Sequence, residues 1–178
     1  EKNFYITIHY IDKNIDTGPI ILKKKFNIKK NDNYLSLLNK AYIHCPLLMF
    51  RVIKKIRNKK KLKLSYQPRI SKKMYYRRRI SGDEIINFNQ KTSNMINFVR
   101  ALYHPNLYAR FKHKNKFYYI YKAKSAKSKL NLSEKNIPAG TILNVNKNYF
   151  DIKTVDNKIR LYTKNKLNLK VGECLKKH

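Results

Sequence analysis

From Leu107 onward the apolar residues recur at every second position, in short runs separated by turn residues. This period sends alternate side chains to opposite faces and matches antiparallel strands buried on one side. The pattern predicts strands over residues 108–113, 117–123, 141–145, 150–155 and 158–162. Lys114-Asn115, Pro138-Ala139-Gly140, Lys147-Asn148 and Asp156-Asn157 supply the turns. Short strands at this spacing predict a small β-barrel. Residues 123–136, with their Ser-Ala-Lys-Ser segment, read as a long exposed loop.

The preceding stretch has a different rhythm. Residues 4–10 alternate and are β-branched, residues 11–19 form a loop closed by Gly18-Pro19, and residues 20–28 are β-like with Lys23, Lys24 and Lys25 interposed. A helix is predicted over residues 34–56, capped by Asn31 or Asn33. Its apolar stripe is Leu35, Leu38, Tyr42, Cys45, Met49, Val52, Ile53 and Ile56, at three- and four-residue steps. Pro46 allows a kink or two shorter helices. Residues 57–63 are a basic run, either a solvated turn or a binding patch. An extended linker over 65–79 leads to a strand-like Ile85-Ile86-Asn87-Phe88. A second helix follows over 92–103, with Met95, Ile96, Val99 and Leu102 inward and Pro105 after it.

With 178 residues, 42% of them hydrophobic, the chain has enough apolar material for one or two domains and is not wholly disordered. No apolar run approaches the ~20 residues of a membrane span, so a soluble, cytoplasmic protein is expected. The start has neither a signal-peptide layout nor an initiator Met, which predicts a chain beginning inside a larger protein. Cys45 and Cys174 lie far apart without metal-ligand spacing and read as free thiols; no metal site is expected. The net charge of +32 has two readings: a face for polyanions, or the Lys, Asn and Ile drift of an AT-rich genome.

Ten acidic residues stand against 42 basic ones, so the carboxylate at the turn in Thr-Ile-His-Tyr-Ile-Asp-Lys-Asn-Ile-Asp-Thr-Gly-Pro-Ile-Ile, from Thr7 to Ile21, stands out. The stretch resembles the active-site loop of the folate-dependent formyltransferases. Further residues follow that family's order: Gln67, Tyr75-Tyr76, Arg77-Arg78-Arg79, Asp83, Ile86-Asn87-Phe88, Val99-Arg100-Ala101-Leu102, Pro105 and Pro138-Ala139-Gly140-Thr141-Ile142. The resemblance implies α/β plus all-β architecture: a truncated Rossmann-like core in residues 1–64, a connector with a helix in 65–106, and a small OB-like β-barrel in 107–178. It also marks departures. The family's Ser-Leu-Leu-Pro segment and its catalytic Asn and His would precede Glu1. His-Pro-Asn-Leu-Tyr at 104–108 replaces a Pro-x-Pro-Gly-Ala turn, and Asn87 stands where Asp is usual.

The implied reaction moves a formyl group from 10-formyltetrahydrofolate, the co-substrate, to an amine. The resemblance makes Asp16 catalytic and His9 its support. Ile11, Asp12, Lys13, Asn14 and Ile15 would fold around the pteridine, largely through backbone groups. Asp12 and Asn14 read equally as exposed turn residues. His44, His104, His113 and His178 show no metal or triad spacing and read as structural or surface groups. The Tyr-Tyr-Arg-Arg-Arg segment resembles the nucleotide-sugar formyltransferases, so a nucleotide-linked sugar amine is the first expected acceptor. Initiator Met-tRNA is the alternative, favoured by Lys and Tyr interleaving from Lys112 to Lys124. A non-catalytic basic barrel that binds nucleic acid is a third reading. The oligomeric state is not fixed by sequence.

Overall fold

The computed structural model describes residues 1–67, 76–104, 107–126 and 128–175, in two compact units, Glu1–Arg78 and Arg79–His178. Tyr75, Pro105, Asn106 and His178, singled out by sequence, lie outside the described residues.

The first unit is a β-hairpin and a long helix. Strands β1 (Asn3–His9) and β2 (Ile20–Asn27) pair antiparallel from Asn3↔Asn27 to Ile8↔Leu22, with the register slipping between Ile8 and His9. Phe4 and Phe26 stack across the strands at 4.9 Å, and the Lys23 ammonium sits 4.4 Å from the Tyr5 ring centroid. These cross-strand pairs let a lysine-interrupted segment persist as a strand. Helix α1 (Tyr34–Arg57) starts at Asn33, whose side chain accepts from Ser36 N while the Ser36 hydroxyl accepts from Asn33 N, a capping box. Just before it, the Asp32 carboxylate accepts from Lys29 N at 2.7 Å, the Ser36 hydroxyl at 2.9 Å and Lys40 Nζ at 2.8 Å. That cluster, with the Lys40 hydrogen bond as the largest influence, holds Asp32 at a pKa of about 2.

The helix runs unbroken through Pro46, so the two-helix alternative falls away. Its expected inward stripe holds only in part: of those residues Val52 is buried and Leu35 and Leu38 are half-buried. Leu48 and Val52 are the buried residues, while Tyr42, Cys45, Met49, Ile53 and Ile56 are exposed. Ile43, Leu47 and Phe50 are exposed as well, so the helix is apolar on more sides than the hairpin covers.

The second unit holds the core. Helix α2 (Thr92–Ala101) packs on a sheet of β3 (Ala109–His113), β4 (Lys116–Ser125), β5 (Ile142–Val145), β6 (Tyr149–Lys153) and β7 (Lys158–Thr163), in the order β3-β4-β7-β6-β5 and antiparallel throughout. Among the described residues β3 and β5 do not pair, so the expected barrel is an open, five-stranded sheet. Phe111 stacks on Tyr118 at 5.1 Å and meets Phe88 and Phe150 edge-on, surrounded by Ile86, Met95, Val99, Ile120, Ile152 and Leu161.

Two further details differ from expectation. Residues 85–88 form a single parallel bridge, Ile85 to Arg110, instead of a strand. The loop expected at 123–136 contains a short helix, α3 (Leu132–Lys135), closed by an Asn131–Glu134 capping box. Lys91, at the start of α2, contributes no side-chain cap. Asp156 takes that role from afar, accepting from Thr92 N at 2.8 Å and from the Thr92 hydroxyl at 2.9 Å. Among the described residues no helix is long and apolar enough to cross a membrane.

Candidate active-site loop

The loop between β1 and β2 is pinned at its base. Tyr10 N donates to the Pro19 carbonyl at 3.0 Å, and Gly18 packs so closely on Tyr10 that an added Cβ would lie 1.7 Å from the Tyr10 carbonyl oxygen. Only glycine fits there, because the obstacle is backbone and cannot rotate away. The pairing of Ile20 with Ser65, by bonds of 2.7 and 2.9 Å, brings a later segment alongside the loop. Gln67 follows two residues on. Its Nε2 donates to the carbonyls of Asp16 at 2.8 Å and Gly18 at 2.9 Å, using both amide protons.

That clamp holds an uncommon conformation. Asp16 has φ 53°, in the left-handed region that costs most residues a steric penalty and that Asp tolerates better than most. Inside the loop the Asp12 carboxylate accepts from Asn14 N at 3.0 Å and from the Thr17 hydroxyl at 2.6 Å. Asp12 is therefore a loop-building residue. Ile11 and Ile15 project outward, 94% and 73% exposed, and offer a flat ligand apolar surface.

The carboxylate and the imidazole expected to act together do meet. Asp16 Oδ1 lies 3.5 Å from His9 Nε2, with the Asp16 side chain largely in solvent. His9 Nδ1 lies 2.8 Å from the Tyr10 carbonyl oxygen. A carbonyl only accepts, so Nδ1 carries the hydrogen, and in the neutral ring Nε2 presents a lone pair to the carboxylate. The contact is attractive when the two groups share one added proton. Such a pair can take a proton at the loop surface and pass it on, and the distance allows closure to a hydrogen bond when a substrate orders the site.

Sequence reasoning singled out Gln67 only as a family marker. Its partner Asp16 is 51 residues away, and no local pattern reveals that contact. Arg77, Arg78 and Arg79 are exposed. Asp83 accepts from Ile80 N at 2.9 Å in a turn. His44 packs its ring 4.8 Å from Phe26, and His113 Nε2 lies 3.4 Å from Glu173. Cys45 and Cys174 are free and exposed. Among the described residues no group of His, Cys, Asp and Glu is arranged to hold a metal ion.

A chain whose second unit is an antiparallel sheet with a packed helix has known counterparts. Residues 80–173, more than half of the chain, match the family described as formyl transferase, C-terminal domain. The chain belongs to the folate-dependent formyltransferase family. It is 29% identical over 148 residues to the bifunctional polymyxin resistance protein ArnA of Wigglesworthia glossinidia brevipalpis, covering 82% of this chain and 21% of that one. It is 29% identical over 167 residues to the methionyl-tRNA formyltransferase of Caldicellulosiruptor saccharolyticus, covering 90% and 49%. Among solved structures it resembles WlaRD, a sugar 3N-formyl transferase determined in the presence of dTDP and 5-N-formyl-THF. That likeness has a TM-score of 0.69 and 26% identity, covering 94% of this chain and 57% of that one. The chain thus spans about half the length, or less, of these relatives.

Proposed function

We propose that these residues belong to a formyltransferase that moves the formyl group of 10-formyltetrahydrofolate onto an amine, most specifically the amino group of a nucleotide-linked sugar. Residues 1–64 would close its catalytic domain, 65–106 would connect, and 107–178 would form its C-terminal domain. The exposed apolar sides of α1 support the first assignment, since an isolated hairpin and helix leave them uncovered. The observation that carries the reading is the Asp16 carboxylate at its left-handed corner, 3.5 Å from the imidazole of His9.

In the proposed reaction the neutral amine attacks the formyl carbon, a new C–N bond forms, and the bond to folate N10 breaks as the tetrahedral intermediate collapses. The attacking nitrogen must lose a proton and N10 must gain one. Asp16 accepts or relays the first, directly or through water, and His9 shares it through Nε2. The Tyr10 carbonyl keeps His9 in the tautomer this needs. Asp12 and Asn14 shape the loop, while Ile11 and Ile15 border the pteridine. The donor group that stabilises the oxyanion would come from the family's Asn and His, outside these residues.

The 178-residue chain alone should therefore transfer no formyl group, and robust turnover by the purified chain would put the oxyanion donor within these residues; absence of formyl transfer by the polypeptide that carries them would refute the proposed function. The likeness to the sugar N-formyltransferase supports the sugar acceptor. Methionyl-tRNA formyltransferases among the relatives favour initiator Met-tRNA as the second reading. Competition between a nucleotide-sugar amine and Met-tRNA in one formylation assay separates them.

A further inference from the structure

Helix α1 and the turn after it carry apolar and basic groups that formyl transfer does not use. From Tyr34 to Lys63 the sequence holds no Asp or Glu, and eight of the 13 residues from Arg51 to Lys63 are Lys or Arg. At 3.6 residues per turn, Ile43, Phe50 and Arg57 fall on the side of the helix opposite Leu48 and Val52, with Leu47, Ile53 and Lys54 at its borders. Leu48 and Val52 are buried, whereas Ile43 is 63% exposed, Leu47 54% and Phe50 65%. A helix packs one stripe on its sheet, and neighbours in its own layer reach only its flanks. A catalytic domain completed around the hairpin therefore reaches Cys45 and Met49 on one flank and leaves the far side outward.

The cations gather at one end of that side. The helix closes with Asn58 N donating to the Lys54 carbonyl at 3.1 Å and Lys60 N to the Lys55 carbonyl at 3.0 Å, through a left-handed Lys59 with φ 51°. This turn folds Lys60 back over the last helical turn. Arg51, Lys54, Lys55, Asn58 and Lys60 line, with Leu22 of β2, a cavity of about 420 Å³ that no carboxylate borders among the described residues. Like charge so concentrated costs stability, and a solvated turn needs neither the cavity nor the exposed Leu, Ile and Phe beside it. An RNA backbone has use for the cations but none for Ile43, Leu47 and Phe50. A second copy of this chain would set +32 against +32 across a face without acids.

We propose that this side of α1 docks on an anionic lipid surface. The helix lies in the plane of the bilayer, with Ile43, Leu47 and Phe50 among the upper acyl chains. Arg51, Lys54 and Lys60 hold a phosphodiester headgroup in the cavity, and Arg57 with the lysines beyond it meets neighbouring headgroups. A basic helix with an apolar side suits that boundary, because water satisfies only its cations and hydrocarbon only its apolar row. Such a contact holds the protein at a membrane without any segment crossing it.

Sedimentation of the full chain with vesicles of phosphatidylcholine, alone or mixed equally with phosphatidylglycerol, tests this, with circular dichroism as the folding control. None of the readouts involves formyl transfer, so they stand whatever the acceptor amine proves to be. Binding should require the anionic lipid. Leu47→Ala combined with Phe50→Ala should weaken it roughly ten- to a hundredfold, and Lys54→Gln about fivefold. Leu132→Ala, which trims an exposed leucine of the second unit, should leave it unchanged. The chain has no Trp, so Phe50→Trp supplies a single reporter. Its emission should shift to the blue on anionic vesicles and be quenched by lipids brominated on their acyl chains, which decides the matter if the double variant unfolds. Vesicle binding without this quenching, an equal loss in Leu132→Ala, or a blue shift that follows protein concentration or added oligouridylate instead of lipid would each overturn the proposal.

Discussion

Replacing Gln67 with Ala removes the clamp that holds the candidate catalytic carboxylate in place. Two hydrogen bonds disappear, to the carbonyls of Asp16 and Gly18 at 2.8 and 2.9 Å. At a net value of about 0.5–1.5 kcal/mol each, the pair contributes about 1–3 kcal/mol. The left-handed backbone at Asp16 costs about 1–2 kcal/mol for a residue with a Cβ. The clamp and the strain are therefore nearly matched, and the loop should open when the clamp is lost. The Tyr10 amide, bonded to Pro19 at the loop's base, reports that opening by hydrogen exchange. Its protection should fall roughly five- to a hundredfold, the exchange equivalent of about 1–3 kcal/mol. The Ile28 amide, bonded to Lys2 at the other end of the hairpin, should keep its protection. Adding Asp16→Gly should restore about 1 kcal/mol, because glycine accepts this conformation without the Cβ penalty. Unchanged protection at Tyr10 in Gln67→Ala, or an equal loss at Ile28, would refute the reasoning.

Three other perturbations test separate joints of the structure. Gly18→Ala drives a methyl group against the Tyr10 carbonyl, so it should open the loop at a cost of about 1–3 kcal/mol, visible as lost Tyr10 amide protection. The Asp32 carboxyl titrates at about 2 in the folded chain, below its ordinary 3.8, so the stability it adds is present above pH 3.8 and lost as pH falls through about 2. Asp32→Asn should flatten that acid limb in urea melts taken at stepped pH. Hydrogen bonds from Thr92, the backbone one foremost, hold Asp156 below its usual carboxylate range. Asp156→Ala should cost the second unit about 1–2 kcal/mol by urea titration, as for other lost helix caps, and Asp156→Asn much less.

The elements were legible in the sequence wherever one segment decides its own conformation. Asn31 or Asn33 marked the start of α1, where Asn33 proves to be the cap, and the two-residue rhythm after Leu107 marked the strands. Features that depend on a partner were not legible. Of the stripe chosen for α1 only Val52 is buried and five residues face solvent, because the helix is apolar on more than one side, and periodicity does not say which side a hairpin covers. A two-residue rhythm is the same in a barrel and in an open sheet, since closure depends on whether the edge strands meet. The Asn131–Glu134 box was readable but precedes no long apolar run, so its four-residue helix passed for loop. At the candidate site, Asp16 and His9 were identifiable from the motif around them. Gln67's clamp and the distant Asp156 cap needed the folded chain, because they join residues 49 to 64 positions apart.

The most direct test is formyl transfer from 10-formyltetrahydrofolate to an amine by the polypeptide that carries these residues, comparing Asp16→Asn with the unaltered sequence. Asparagine fits the same left-handed corner and keeps the Gln67 clamp, yet it cannot take a proton. Turnover should drop by at least about a hundredfold, the usual contribution of a positioned acid or base, with the fold and thermal melt unchanged. Near-normal turnover would remove Asp16 from the chemistry and contradict the account.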